Sequence, residues 1–470
     1  MKQLEADDAY ARHWDVILVG TGFAACFFAR ALRGRGLSVL FVERGPYIDR
    51  DTQLANRHSD TPPVVAQRNS SGRRKDWAVR YQFGGCSNCW WGNTPRLHPS
   101  DMEMQTRYGV ARDWPLSYAT LEPHLLEAER LMEIAGDSDR RGPPRSAPYP
   151  FPAHVATHAE HRLMELDPSW VPMPTARSNG GSRAGCCASG ACSLCPIDAK
   201  FTIMNGRGLF EDEDFALVTE LECRAIETAA GQATGIITRD AGGAERRIKG
   251  DFVGLAANPI GTSVILLRSG LGGPRVGQGL HEQAGQFLWV DIPFDNYYGG
   301  TSITGLGYAF YDGAFRREAA SVLIESWNAP PSLRFEPGRW LQRLKLKLVA
   351  EDLPQPANRV VLENDAPLIE WRGHSAYCEA GLARARAGIE DQLPFAERIS
   401  IGGYEPTEAH IIGGTPMDHD PQHGVVNAEG RLFDVPNVAC LGASTFPTGS
   451  AANPTLMLSA LSLYLGGKLS

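Results

Sequence analysis

The sequence contains no stretch approaching the roughly 18 uninterrupted apolar residues of a membrane span. Basic surface is also scarce. The formal charge is −8, and the only compact basic run is Arg73-Arg74-Lys75, so no field exists that would hold a polyphosphate backbone. Nucleic acid is therefore not expected as a partner. Met1 to His13 is polar and acidic where a secretory signal needs a basic start and an apolar stretch. The expectation is a cytoplasmic chain, periplasmic only if exported with a partner subunit. Ten cysteines in 470 residues are too few for a disulfide scaffold, and no repeat of fixed period occurs. What is present is ordinary: 43% apolar and 21% charged residues, in a chain long enough for two packed cores.

The first ordered signal lies near the N-terminus. Asp15 to Val19 is a short apolar run, a helical pattern follows from Gly22 to Leu32, Gly34-Arg35-Gly36 breaks it, and a second apolar run covers Ser38 to Val42. This predicts a β-α-β unit. Gly20-Thr21-Gly22-Phe23-Ala24-Ala25 closes the strand and opens the helix in the pattern G-x-G-x-x-A. Gly20 permits the tight turn, Gly22 lets backbone approach a pyrophosphate, and Ala25 allows close helix–strand packing. Glu43 ends the second strand about 20 residues on, where it can accept hydrogen bonds from an adenosine ribose. The motif predicts a dinucleotide site and does not separate NAD from FAD.

That choice comes from a resemblance. Phe83-Gly84-Gly85-Cys86-Ser87-Asn88-Cys89-Trp90-Trp91-Gly92 looks like the second glycine-rich loop of the glucose–methanol–choline (GMC) oxidoreductase family, which wraps the diphosphate and ring of FAD. Asp113 to Tyr118, Ala256 to Arg268, Val276 to Leu280, Asn358-Arg359-Val360 and Pro436 to Pro454 are similar to further family blocks in the same order. The pyranose-oxidising branch is nearest in character, through Gly442-Ala443-Ser444 and Ala452-Asn453-Pro454-Thr455-Leu456. The resemblance implies FAD contacts at Gly20 to Ala25, Glu43, Arg44, Gly84, Gly85, Ser87, Asn88, Cys89, Trp90, Gly92, Asn93, Ala257, Gly442, Ala443, Asn453, Pro454 and Thr455. Cys89 falls where related enzymes attach the flavin through a histidine, so an ordinary thiol and a thioether are both open. Two departures stand out. Many members carry an acidic residue at Gly442 and a Gly-Ala pair at Asn258-Pro259.

An alcohol gives up hydride readily only as its alkoxide, so its oxidation needs a base poised to take the hydroxyl proton, and histidine suits that task. The resemblance assigns the role to His410, within Glu408-Ala409-His410-Ile411-Ile412-Gly413-Gly414. Asn453 stands where the family's second polar residue, His or Asn, sits, and can hold the substrate oxygen by hydrogen bond. His98, His281, His419 and His423 lack this register and are expected in surface or loop positions.

Cys186-Cys187-x4-Cys192-x2-Cys195-Pro196 is flanked by glycines. Thiolates so spaced on a flexible loop suit an iron–sulfur cluster, either three-iron or four-iron. Adjacent side chains on extended chain diverge, so only one of Cys186 and Cys187 readily serves. A zinc site and inert thiols are the alternatives. Some dehydrogenases of the family resemble this loop and pass electrons to a cytochrome, which implies an accessory subunit and a cytochrome acceptor. Cys26, Cys223, Cys378 and Cys440 are expected in the core.

The expected fold is α/β: a Rossmann-type FAD domain with a parallel sheet from residues 12–110, 196–285 and 430–470, a helical and loop excursion over 111–195, and a mainly antiparallel substrate domain over 286–429. Gly136 to Pro152 reads as a surface segment, Gln286 to Trp327 as antiparallel strands, and Leu382 to Leu393 as a helix. Trp90, Trp91, Tyr297, Tyr298, Trp327 and Trp371 are candidates for lining a pocket. Together these features predict an FAD-dependent dehydrogenase of a sugar or glycoside alcohol with an iron–sulfur relay. An oxygen-using oxidase with structural cysteines and a non-catalytic flavin electron-transfer subunit are the other two readings.

Overall fold

The computed structural model describes residues 1–56, 65–140, 142–297, 299–328 and 333–469. The two apolar runs near the N-terminus form strands His13–Val19 and Val39–Val42, paired in parallel, with helix Phe23–Arg30 between them. Both strands are almost wholly buried, as expected for parallel strands covered on two faces. They sit mid-way in an eight-stranded sheet, in the order Lys2–Gln3, Phe215–Val218, Val39–Val42, His13–Val19, Glu245–Leu255, Gln232–Arg239 and Glu222–Ala229. Val438–Cys440 pairs in parallel with Glu245–Leu255. Helix Thr455–Gly467 lies along Phe23–Arg30. Gly466 makes that approach possible, since a Cβ there would stand 2.4 Å from the Phe28 carbonyl oxygen.

A second sheet of six antiparallel strands runs Arg398–Glu405, Ala284–Asp291, Arg343–Ala350, Val322–Trp327, Ile303–Phe310 and Trp170–Pro172. Helix Ala376–Gly388 packs on it over Leu344, Leu346, Leu382 and Ala385. The helix expected over 382–393 thus starts earlier. Ser375 caps it by accepting from the Cys378 N–H, a start signal of the usual kind, and its continuation is the short turn Glu390–Gln392.

The segment boundaries differ in detail from those expected. Strand Ala284–Asp291 crosses the expected junction at 285, and Trp170–Pro172 carries the 111–195 excursion into the antiparallel sheet. Gln67–Asn69 pairs with Ala366–Trp371, and Lys2–Gln3 extends the parallel sheet ahead of residue 12. These are long-range pairings between segments far apart in sequence, which local periodicity cannot register. Cys26, Cys223, Cys378 and Cys440 are buried, as expected. Trp371 is core: it stacks edge-on against Trp77 at 5.3 Å. Tyr297 is 63% exposed, and Tyr298 lies outside the described residues.

Gly20 has φ +102°, and a Cβ there would meet the Ala256 carbonyl oxygen at 2.6 Å. Gly20→Ala is expected to destabilise the chain by about 1–3 kcal/mol, measured as a fall in the denaturant midpoint at constant m-value.

Candidate active site

The dinucleotide turn is built on two glycine-rich loops held by one hydroxyl. The Thr21 hydroxyl donates to Glu43 Oε2 at 2.6 Å and accepts from the Gly84 N–H at 3.0 Å. Glu43 Oε1 accepts from the Gly45 N–H at 2.9 Å. The carboxyl is buried, and burial raises its pKa to about 7 against the pull of the Thr21 and Gly45 hydrogen bonds. Gly22 opens the helix with empty space where a Cβ would stand, while a Cβ on Gly85 would lie 3.5 Å from Gly22 Cα. This leaves backbone N–H groups and a helix start facing an open notch, the arrangement that receives a pyrophosphate.

The other residues expected around FAD are gathered by the same loops. Ser87 donates to the Gly84 carbonyl and accepts from the Ile203 N–H, and Asn88 donates to the Phe83 and Gly85 carbonyls. Trp90 stacks edge-on against Phe23 at 4.8 Å. Arg44 lies over the Tyr81 ring, and the Asn93 Oδ1 accepts from Arg177 at 2.9 Å. Both departures from the family pattern have a local reason. A Cβ on Gly442, at φ +75°, would press to 2.8 Å from the Ala24 Cβ, so no acidic side chain fits there. Asn258 takes φ +61°, which Asn tolerates, and its Oδ1 accepts the Ile260 and Gly261 N–H groups at the start of helix Asn258–Ser269, just after Ala257.

The segments bearing the two chemistry candidates are zipped together. Gly413, Thr415 and Met417 donate their N–H groups to the carbonyls of Ala443, Ser444 and Thr445. His410 Nε2 then lies 3.3 Å from Asn453 Nδ2. Asn453 sits just before Pro454 and helix Thr455–Gly467, and its Oδ1 has no protein partner. On the far side of the imidazole, His410 Nδ1 meets Gln283 Oε1. The Gln283 amide has one permitted orientation, because its Nε2 donates to the Ser450 and Ala452 carbonyls at 2.6 and 2.9 Å. The oxygen must therefore face His410, which puts the proton on Nδ1 and leaves the Nε2 lone pair turned toward Asn453. Burial, with the Lys347 ammonium second, lowers the His410 pKa to about 3, so the imidazole stays neutral.

Lys347 is itself paired with Glu408 at 2.6 Å in a buried contact. Beside it, Trp327 lies 5.0 Å from Trp91 and donates to Glu325, giving the site an aromatic wall. His281 is a correction to the expected surface or loop histidines. It is buried, its Nδ1 bonds the Gly279 carbonyl at 2.7 Å, and burial lowers its pKa to about 4. The Leu280–Ile412 region closes over it, and sequence spacing carries no trace of that contact.

The cysteine loop is differently organised from expectation. The buried Cys192 thiol lies 2.9 Å from the Ser302 hydroxyl, Cys186 lies 3.6 Å from that of Thr301, Cys195 accepts the Ala199 N–H, and Cys187 is exposed. Among the described residues no group of three or more His, Cys, Asp or Glu side chains is set to hold a metal ion. The thiols of the chain alone are turned to separate hydroxyl and amide partners. Two buried cations face the loop. Arg177 donates to Cys192 Sγ at 3.6 Å, and Lys200 donates to the Asn88, Trp90 and Ser193 carbonyls. Among the described residues neither forms an ion pair with a carboxylate.

The family pattern described as GMC oxidoreductase matches residues 390–462, the stretch that carries both His410 and Asn453. The large subunit of fructose dehydrogenase from Gluconobacter japonicus is 26% identical over 96% of each chain. The chain is similar to GMC oxidoreductases over residues 390–462. It is an FAD-dependent oxidoreductase acting on CH–OH donors. The 6'''-hydroxyparomomycin C oxidase of Streptomyces lividus is 26% identical over 96% of this chain and 90% of its own. Among solved structures, pyridoxine 4-oxidase from Mesorbium loti superposes with a TM-score of 0.67 at 17% identity, over 97% of this chain and 99% of its own. Formate oxidase gives 0.68 at 13% identity over 97% and 98%. These two likenesses establish the shared fold.

Gln283, Arg177 and Lys200 were not identified from sequence. The polar triplet His281-Glu282-Gln283 before an apolar strand was the only available sign of the first, and single basic residues gave none for the others. Two outcomes follow for an FAD-dependent enzyme with a neutral buried histidine. Flavin reduction by a good substrate should stay level as pH falls through 6.5, the ordinary imidazole value, and drop only toward about 3. Gln283→Leu should slow the same step while FAD content holds, by less than the roughly 10²–10⁴-fold expected for removing a base outright. Stopped-flow flavin absorbance across pH measures both.

Proposed function

We propose that the chain is a dehydrogenase of a sugar or related polyol, with His410 as the base, Asn453 as the holder of the substrate oxygen, and the cysteine loop as the exit for electrons. The observation that carries the reading is the orientation of His410: neutral, with Nδ1 protonated against Gln283 and Nε2 free to accept. FAD, when bound, supplies the hydride acceptor. The substrate hydroxyl donates to His410 Nε2, which takes the proton as the alkoxide character grows. The Asn453 Nδ2–H group, 3.3 Å from that nitrogen, turns to the developing oxyanion and lowers its energy. Gln283 holds the imidazole in the tautomer this transfer needs. The Trp91 and Trp327 wall offers an apolar face to a sugar ring, and one relative is named for a sugar, fructose.

For the electron exit, the supporting observation is the charge around the cysteine loop. Burying Arg177 and Lys200 without a carboxylate in ion-pair contact is costly unless negative charge comes from elsewhere; Glu325 offers Arg177 some, and an iron–sulfur centre on thiolates would supply more. Cys192 and Cys195, with Cys186 or Cys187, are the residues that would hold it after turning from their present partners. Such a centre would hand electrons on singly, and a small accessory subunit with a cytochrome suits that use. The competing reading is an oxidase that returns electrons to oxygen, which the hydroxyl-bonded thiols would suit.

His410→Ala should cut flavin reduction by roughly 10²–10⁴-fold with FAD content unchanged, and the loss should shrink at high pH, where substrate ionises unaided. Asn453→Ala should cost less, about 10–10³-fold. A His410→Ala enzyme reduced at the wild-type rate would overturn the mechanism. For the exit, Cys192→Ser should lower bound iron and acid-labile sulfide and slow reduction of a one-electron acceptor, with single-turnover flavin reduction retained. Wild-type protein free of iron and sulfide, reoxidised rapidly by oxygen, would establish the oxidase.

A further inference from the structure

Cys86 and Cys89 are not used by the alcohol-oxidising chemistry, yet their arrangement is specific. They flank the last turn of the short 3₁₀ helix Gly85–Asn88, and residues three apart on such a turn stand one above the other. The Cys89 N–H donates to the Cys86 carbonyl at 3.1 Å, and the Cys89 thiol leans on the same oxygen at 3.6 Å. The neighbouring Cys89 thiol pushes the Cys86 pKa up, which holds Cys86 as the protonated thiol, and the Cys86 side chain is exposed while Cys89 is half-buried. Positive charge lies on both sides. The Lys200 ammonium, bonded to the carbonyls of Asn88 and Trp90 on either side of Cys89, faces that sulfur, and Arg80 faces Cys86. Two thiols three residues apart on one turn beside cations are the setting in which a cysteine pair exchanges with disulfides.

We propose that Cys86 and Cys89 form a reversible dithiol–disulfide couple on the FAD-binding loop, oxidised by exchange with small-molecule disulfides of the glutathione type. In the first step the Cys89 thiolate attacks one sulfur of the small disulfide. A mixed disulfide forms and one glutathione thiolate leaves. The Cys86 thiol then loses its proton and attacks Cys89 Sγ, releasing the second glutathione. The chain gives up two electrons and two protons, and one small disulfide becomes two thiols. The loop stands on the dinucleotide turn, with Gly84 bonded to Thr21 and Gly85 packed over Gly22. FAD held at this turn would cover the surface, so FAD-free chain should be the form that exchanges readily.

The test uses full-length chain, FAD-loaded and FAD-free, equilibrated in glutathione buffers of graded oxidised-to-reduced ratio, then alkylated and digested with trypsin. The peptide Tyr81–Arg96 contains these two cysteines and no other. It should pass in one transition from doubly alkylated to unalkylated and lighter by two hydrogens, with full recovery in reduced buffer. FAD should slow the loss of alkylation. Cys86→Ser should trap glutathione on Cys89, and Cys89→Ser should leave Cys86 alkylatable throughout. A peptide doubly alkylated at every ratio, a Cys89 carrying the mass of a flavin, or a link from Cys86 to another cysteine would each overturn the proposal. The readout is the peptide mass, so it stands apart from the fate of the alcohol-oxidising mechanism.

Discussion

The orientation of one buried amide governs the chemistry available to the site. Gln283 has two carbonyls to satisfy on the 450–452 segment, and only its nitrogen can do so. Its oxygen is left for His410, and the imidazole answers with its Nδ1 proton. Were the amide reversed, Nε2 would carry the proton and face a substrate hydroxyl as a donor, with nothing to accept the hydroxyl's own hydrogen. The cost of reversal is two unpaired buried carbonyls, each worth about 1–3 kcal/mol, facing an amide oxygen that is itself an acceptor, so the buried environment selects a single tautomer. Burial has the second effect of keeping the ring neutral, and the Lys347 ammonium, itself paired with Glu408, acts in the same direction.

The cofactor notch rests on a comparable economy of contacts. Thr21 joins the first glycine turn, the second glycine loop and Glu43 through one hydroxyl that donates once and accepts once. The loops are therefore fixed relative to each other before any nucleotide arrives, which spares the ordering cost that a pair of independent loops would incur on binding. Lys200 performs a similar joining role between the second loop and the cysteine loop, through carbonyls of Asn88, Trp90 and Ser193. Its ammonium is solvated by peptide dipoles in place of a counter-ion, and burial lowers its pKa to about 8. The notch, the cysteine pair and the cysteine loop thus form one connected region on one side of the helix start at Gly22.

Much of this was legible in the amino-acid sequence. The strand–turn–helix at residues 13–30 announced itself because its signals are local: an apolar run, two glycines with fixed offsets and a small residue at Ala25. The antiparallel strands beyond Gln286 and the core positions of Cys26, Cys223, Cys378 and Cys440 followed from patterning of the same short range. His410 and Asn453 were singled out as candidates from the resemblance alone, since neither carries a local mark, and the structure brings them within 3.3 Å of each other.

What the tertiary structure decided lies wherever a contact joins segments far apart in the chain. Gln283 reaches His410 across 127 residues and the 450–452 carbonyls across nearly 170, and no periodicity records such a meeting. His281 reads like any loop histidine until the segment at Ile412 pairs with it and closes off water. The four clustered cysteines read as a ready set of ligands, because sequence reports their spacing along the chain. Their side-chain directions depend on Thr301, Ser302 and Arg177, which come from segments next to the second sheet's strands Ile303–Phe310 and Trp170–Pro172. Sequence determined the residue types and the local turns; burial and the partners left for each polar atom, which only packing assigns, decided which of those residues can act together.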